Sequence, residues 1–215
     1  IDKFFDTLIF RGYNGVYKKG RLCMKRGLLI ILSGPSGVGK GTIRKFFEKS
    51  TKLNLAYSTS MTTRKPRVGE VDGVDYFFTT RDKFEQAIKN GDLLEYAEFV
   101  GNYYGTPLKE VNRLRDEGKN VLLEIEVQGA IQVQKRCPDA LSIFIIPPSM
   151  DELERRIRGR RSEPEEIIQQ RLAKANHEMK MIKEYKYIVC NDDPKLAAEL
   201  IETIILRHIE LEENK

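Results

Sequence analysis

The chain has 215 residues, 40% of them apolar and 32% charged. That is the composition of one or two ordinary globular domains with a real core. No apolar run approaches the roughly 20 residues that would span a bilayer, so no membrane association is expected. The formal charge of +5 is local: residues 1–26 hold seven Lys/Arg against two Asp/Glu, and the rest holds 30 of each. A nucleic-acid partner is therefore not expected. Cys23, Cys137 and Cys190 are widely spaced and lack metal-ligand spacing, so a reducing cytosol is the expected compartment.

Residues 1–26 begin at Ile1, place Met24 just before the first strand, and read as a poorly ordered leader outside the domain. Leu28 to Leu32 has the length and branching of a buried strand. A glycine turn follows, then a helix from Thr42 to Lys49. Leu55 to Ser60 and Val74 to Phe78 read as strands. Thr79 or Thr80 caps a helix that runs to Asn90 and stops at Gly91. Leu93 to Val100 reads as a half-buried strand and Gly101 to Gly105 as a turn. Thr106 then reads as a cap with Pro107 at the first helical position.

Strand and helix alternate from there. Val121 to Val127 is a strand, Ala130 to Arg136 a helix, and Leu141 to Ile146 a strand ended by Pro147-Pro148. Ser149 and Glu152 form a capping box. An arginine-dense segment, Arg155 to Arg161, precedes a helix from Pro164 to Glu184. A strand (Tyr187 to Cys190) and a helix (Lys195 to Glu212) close the chain. The alternation argues for an α/β fold, a parallel sheet flanked by helices. The strand-rich stretch 60–106 breaks the alternation and reads as an inserted mixed β/α subdomain. His177 and His208 read as structural.

The chemistry starts at Gly34-Pro-Ser-Gly-Val-Gly-Lys-Gly-Thr42. Strand, glycine loop, lysine and helix together hold phosphate. The glycines let successive N–H groups converge on one anion, the helix N-terminus adds partial positive charge, and Lys40 adds a full one. The position after the lysine, where a Ser or Thr hydroxyl normally faces Mg²⁺, is Gly41, with Thr42 one residue later. Arg64 and Arg67, joined by the phenols of Tyr76 and Tyr104, offer a second anionic site. Glu95 can accept the adjacent N1–H and N2–H₂ of guanine, whereas adenine presents an acceptor there; Ser60 and Thr106 can complete the edge. Glu124 and Glu126 lie two apart on one expected strand and so point the same way. The arginines near 155–161 suit a cationic segment closing over phosphates.

Residues 27–209 resemble a guanylate kinase. The resemblance rests on Ser33 to Thr42, Thr62 to Glu70, Asp75-Tyr76, Gly101 to Gly105, Glu124 to Gly129 and Asn191 to Asp193. It implies an enzyme of purine nucleotide metabolism that transfers the γ-phosphoryl group of ATP to GMP or dGMP, with Mg²⁺ as cofactor. It implies a core (27–59, 107–150 and 172–215), a GMP-binding subdomain (60–106) and a helical lid (151–171). ATP would meet Gly34, Pro35, Ser36, Gly37, Val38, Gly39, Lys40, Gly41 and Thr42, with Asn191 beside the adenine. The GMP phosphate would meet Arg64, Arg67, Tyr76 and Tyr104, with Glu70 orienting the arginines. Guanine would meet Ser60, Glu95, Thr106 and Glu126, and Glu124 would line the same site. Lys40, Arg64, Arg156, Arg160 and Arg171 would be the catalytic cations. No direct protein ligand to the metal is expected; adenylate kinases share the departure at Gly41, and a water near Thr42 would make the contact. Arg161 stands where some relatives have glycine. A non-catalytic scaffold binding phosphorylated partners is the rival reading, and a homo-oligomer is left open.

Overall fold

The computed structural model describes residues 25–99, 101–159 and 164–214. Most of the stretch read as a leader (residues 1–24), Arg160 and Arg161 lie outside them. Five parallel strands form the main sheet in the order β2 (Leu55–Tyr57), β7 (Asn120–Glu124), β1 (Leu29–Ser33), β8 (Leu141–Ile146) and β9 (Tyr187–Cys190). The most apolar strand is central. All five residues of β1 are buried, and they alternate between two cores.

On one face Ile30 and Leu32 join Leu122, Ile143 and Ile145 under four helices: α1 (Lys40–Phe47), α5 (Met150–Arg158), α6 (Glu165–Met179) and α7 (Pro194–Glu213). On the other, Leu29 and Ile31 join Val121, Leu123 and Phe144 under α3 (Leu108–Asp116) and α4 (Val127–Arg136). Burial on both faces explains why β1 and β8 read as continuous apolar runs. Asn120 pins the lower edge: its Oδ1 accepts from Leu28 N–H and its Nδ2 donates to the Leu53 carbonyl.

A second, mixed sheet follows the order β4 (Phe77–Phe78), β3 (Met61–Thr62), β6 (Asn102–Pro107) and β5 (Leu93–Phe99). Helix α2 (Arg81–Asn90) starts at Thr80, whose hydroxyl accepts from Lys83 N–H, and stops at Gly91 at φ 74°. It covers the sheet through Phe84 and Ala87, which pack with Leu93 of β5, and Phe84 stacks on Tyr103 at 5.2 Å.

Five local expectations are corrected. Gly101 to Gly105 is not a turn: the turn is confined to Gly101, and residues 102–107 form β6 against β5. Long-range pairing outweighs the local glycine signal there. Thr106 is not a helix cap, because it lies in β6 and spends its hydroxyl on Glu95; Pro107 precedes α3. The expected strand at Val74 to Phe78 shrinks to Phe77–Phe78, since Asp75 turns back to accept from Val71 N–H. The strand read as Val121 to Val127 ends at Glu124, and Glu126 begins α4. The helix expected to reach Glu184 is α6 (Glu165–Met179), followed by one tight turn at Ile182–Glu184. His208 packs edge-on against Tyr187, a structural role.

The second sheet has a small core of its own, so its stability rests on few side chains. Phe84→Ala is expected to cost about 3–5 kcal/mol. Urea unfolding checks this, and hydrogen exchange should rise in residues 61–107 before it rises in the five-stranded sheet.

Candidate active site

The glycine loop leaves the buried end of β1 and enters α1. Its shape needs glycine: Gly34 and Gly39 sit at φ 147° and 100°. A Cβ would stand 2.4 Å from the Ile145 carbonyl oxygen at Gly34 and 2.6 Å from the Asn191 amide at Gly39. Lys40 Nζ donates to the Gly34 carbonyl at 2.6 Å. Burial lowers the pKa of this ammonium, while Glu124, Glu178 and Glu126 pull it back up.

Three groups outside the loop fix its position. Asn191, only 2% exposed, donates from Nδ2 to the Val38 carbonyl at 2.7 Å. Arg156 donates to the Asn191 carbonyl at 3.1 Å and to Glu152 at 2.7 Å. Arg171 on α6 donates to Ser36 Oγ at 3.0 Å. The described arginines of the segment 155–161 are paired with glutamates. Arg155 pairs with Glu152, and Arg158 with Glu154 and Glu165, so among its described members only Arg156 reaches the loop.

The inserted subdomain presents the second group. Arg64 forms a two-pronged pair with Glu70, at 2.9 and 2.8 Å, and its guanidinium lies 5.3 Å from the centre of the Tyr76 ring. That pairing, with the Arg67 N–H bond to the same carboxylate, holds Glu70 below the usual carboxylate range. Arg67 itself is exposed. Tyr104 meets Tyr76 edge-on at 6.1 Å. Glu95 is buried, and Thr106 donates its hydroxyl to it at 2.6 Å. Burial pushes the Glu95 carboxyl up to about 7.

Three recesses with a shared wall lie among these groups. A recess of about 290 Å³ contains Ser60, Tyr76, Glu95, Tyr104 and Glu126. A second, of about 420 Å³, holds the glycine loop from Gly34 to Thr42 with Glu178. Between them lies a third, of about 330 Å³, with Arg44, Ser58 and Asp75. Glu124 and Ile125 line all three. Glu124 and Glu126 do not project from one strand as expected, yet both reach the cleft. Parallel pairing puts Glu124 beside Leu32, at the root of the loop.

Three residues at or beside the cleft escaped the sequence reading. Arg44 lies one helical turn beyond Lys40, 3.6 Å from Glu124 and over the Tyr57 ring. Lys174 and Glu178 share a face of α6 with Arg171. Their 3-and-4 spacing was the available signal.

A parallel α/β sheet with a glycine loop at its central strand, facing a second anion-binding group across one cleft, defines a nucleotide-binding kinase. The guanylate kinase family model matches residues 26–208. The guanylate kinase of Lactococcus lactis is 58% identical over 182 residues, covering 84% of this chain and 88% of the relative. That of Streptococcus pneumoniae is 56% identical over 180 residues, covering 84% and 86%. The crystal structure of guanylate kinase from Anaplasma phagocytophilum superposes with a TM-score of 0.68 at 35% identity, covering 86% of this chain and 87% of that one. The chain belongs to the guanylate kinase family, and it phosphorylates GMP to GDP at the expense of ATP.

Glu95 makes the ligand-free protein sensitive to pH. Its folded carboxyl titrates near 7, above the ordinary 4.5, so folding favours the protonated form. Its stabilising contribution is complete below about pH 4.5 and disappears as pH rises through 7, a change of about 3 kcal/mol. Glu95→Gln should flatten this limb in urea titrations between pH 5 and 8.

Proposed function

We propose that the two ends of the cleft are the donor and acceptor sites of a direct phosphoryl transfer, with dGMP as a second acceptor. The observation that carries this reading is the wall of Glu124 and Ile125 that the recesses share. Two sites sharing one wall can bring an acceptor oxygen to a donor phosphorus without an enzyme-bound intermediate.

At the donor end the loop N–H groups from Gly34 to Thr42 and Lys40 hold the ATP phosphates. Asn191 holds the loop by giving one amide N–H to Val38, and its Oδ1, which makes no bond to the protein, is left for the adenine. At the acceptor end Arg64, Arg67, Tyr76 and Tyr104 hold the GMP phosphate. Glu70 sets the plane of the Arg64 guanidinium, so Arg64 reaches phosphate through its remaining donor capacity. Glu95 and Thr106 take the guanine edge, with Ser60 and Glu126 beside them. Guanine N1–H and N2–H₂ are donors, so binding favours the ionised form of Glu95.

Closure brings the GMP phosphate oxygen in line with the γ-phosphorus. The new P–O bond forms as the bond to the ADP oxygen breaks. Lys40, Arg64, Arg156 and Arg171 stabilise the charge spread over the transferring oxygens. Arg160, part of the same proposal, lies outside the described residues. The donor end fits a Mg²⁺ carried by the nucleotide: Gly41 leaves the space beside the glycine loop open, with Glu124 Oε1 3.6 Å from where a Cβ would be. Among the described residues no cluster of three His, Cys, Asp or Glu could hold a metal alone. Glu124 and Thr42 would hold the ion through its waters, and the ion would neutralise phosphate charge. No helix among the described residues is long and apolar enough to cross a membrane. The wide cysteine spacing supports a cytoplasmic setting for this activity.

Lys40→Ala is expected to abolish transfer in a coupled assay of ADP release while leaving the circular dichroism spectrum unchanged. Near wild-type turnover would remove the loop from the chemistry. The same assay with GMP, dGMP, AMP, UMP and IMP should rank GMP first, and a preference for AMP would refute the role of Glu95.

A further inference from the structure

Helix α6 crosses behind the cleft and presents Arg171, Lys174 and Glu178 on one face. Each touches a different part of the site. Arg171 reaches Ser36 in the glycine loop. Glu178, 5% exposed, lines the recess that holds that loop. Lys174 stands between two carboxylates: its Nζ is 2.6 Å from Glu126 Oε2 and 4.0 Å from Glu178 Oε1. Glu126 is at the N-cap of α4, but its side chain makes no capping bond; its carboxylate is turned to Lys174 instead.

We propose that Lys174 is a positioning residue that sets the Glu126 carboxylate in the floor of the acceptor recess and ties it to Glu178 in the donor recess, coupling occupancy of the two sites. The proposal rests on the reading of Glu126 as a guanine contact. The geometry supports a positional rather than a stabilising role. Side-chain exposure is 37% for Lys174 and 39% for Glu126, and a half-exposed pair adds little to folding. One carboxylate oxygen of Glu126 faces the lysine, which leaves the other for the ligand. Glu126 lines both the acceptor and the donor recess, Glu178 lines the donor recess, and the ammonium stands between the two carboxylates. An anionic donor drawing on Lys40 changes the field at Glu178, and Lys174 passes that change to Glu126.

Lys174→Met, Lys174→Gln, Lys174→Arg and Glu126→Gln test this. GMP binding is measured by calorimetry with and without a non-hydrolysable ATP analogue. Steady-state constants and ligand-free melting are measured beside it. Both neutral lysine variants should weaken GMP binding about tenfold, the scale of a charge-assisted hydrogen bond. They should raise the GMP KM with kcat within about threefold and lose the gain in GMP affinity that the analogue gives the wild type. Lys174→Arg should restore both, and melting should stay near that of the wild type. Wild-type GMP affinity and coupling in both neutral variants, with a weakened Glu126→Gln, would overturn the proposal while leaving the site reading intact. A Glu126→Gln variant that binds GMP normally would instead refute Glu126 as a guanine contact, and the proposal with it.

Discussion

The carbonyl oxygen of Val38 holds the donor site together. It accepts from the Asn191 amide at 2.7 Å, and the Arg156 guanidinium lies 3.4 Å away. The three partners come from the glycine loop, the end of β9 and helix α5. Without these donors a buried carbonyl at the tip of the loop would lose the full value of its hydration. The left-handed glycines let the loop turn; this junction decides where it turns to. The position of Lys40, the height of the α1 N-terminus and the docking of the arginine-bearing helix all follow from it.

The electrostatics of the cleft follow a second constraint: its cations are not free. Arg64 is shared with Glu70, Arg44 with Glu124, Lys174 with Glu126, and Arg156 with Glu152. Each pair fixes a flexible side chain at a modest energetic cost, because most are only part-buried. Phosphoryl transfer gains from charges that are already oriented when the substrate arrives. The surface arginines Arg155 and Arg158 are paired with glutamates one helical turn away, which keeps a dense run of positive charge from acting as a general anion trap.

The parts of this arrangement that were legible in the sequence are those set by near neighbours. β1 and β8 were visible because burial on both faces leaves an unbroken apolar run. Helix α2 was visible because Thr80 and Gly91 mark both ends. The Gly34 to Thr42 spacing placed the loop, and Glu95 stood out by its hydrogen-bond logic. What was misread depends on distant partners. Gly101 to Gly105 carries local turn chemistry, yet β5 claims most of it as a strand. Thr106 has the look of a helix cap, but its hydroxyl goes to a carboxylate eleven residues away. Arg44, Lys174 and Glu178 were passed over because nothing near them in sequence is unusual. Lys174 meets Glu126, 48 positions away in sequence, only after the chain between them has been folded into a strand and two helices.

The buried carboxyl of Glu95 has a consequence for how the enzyme exchanges protons with its surroundings. At neutral pH about half the free molecules carry that proton, since the group titrates near 7. With Glu95 reading guanine as proposed, capture of the nucleotide expels the proton into the solvent. Acceptor binding is then a proton-releasing event as well as a recognition event. On that reading, acidification of the medium opposes GMP binding through the acceptor site itself.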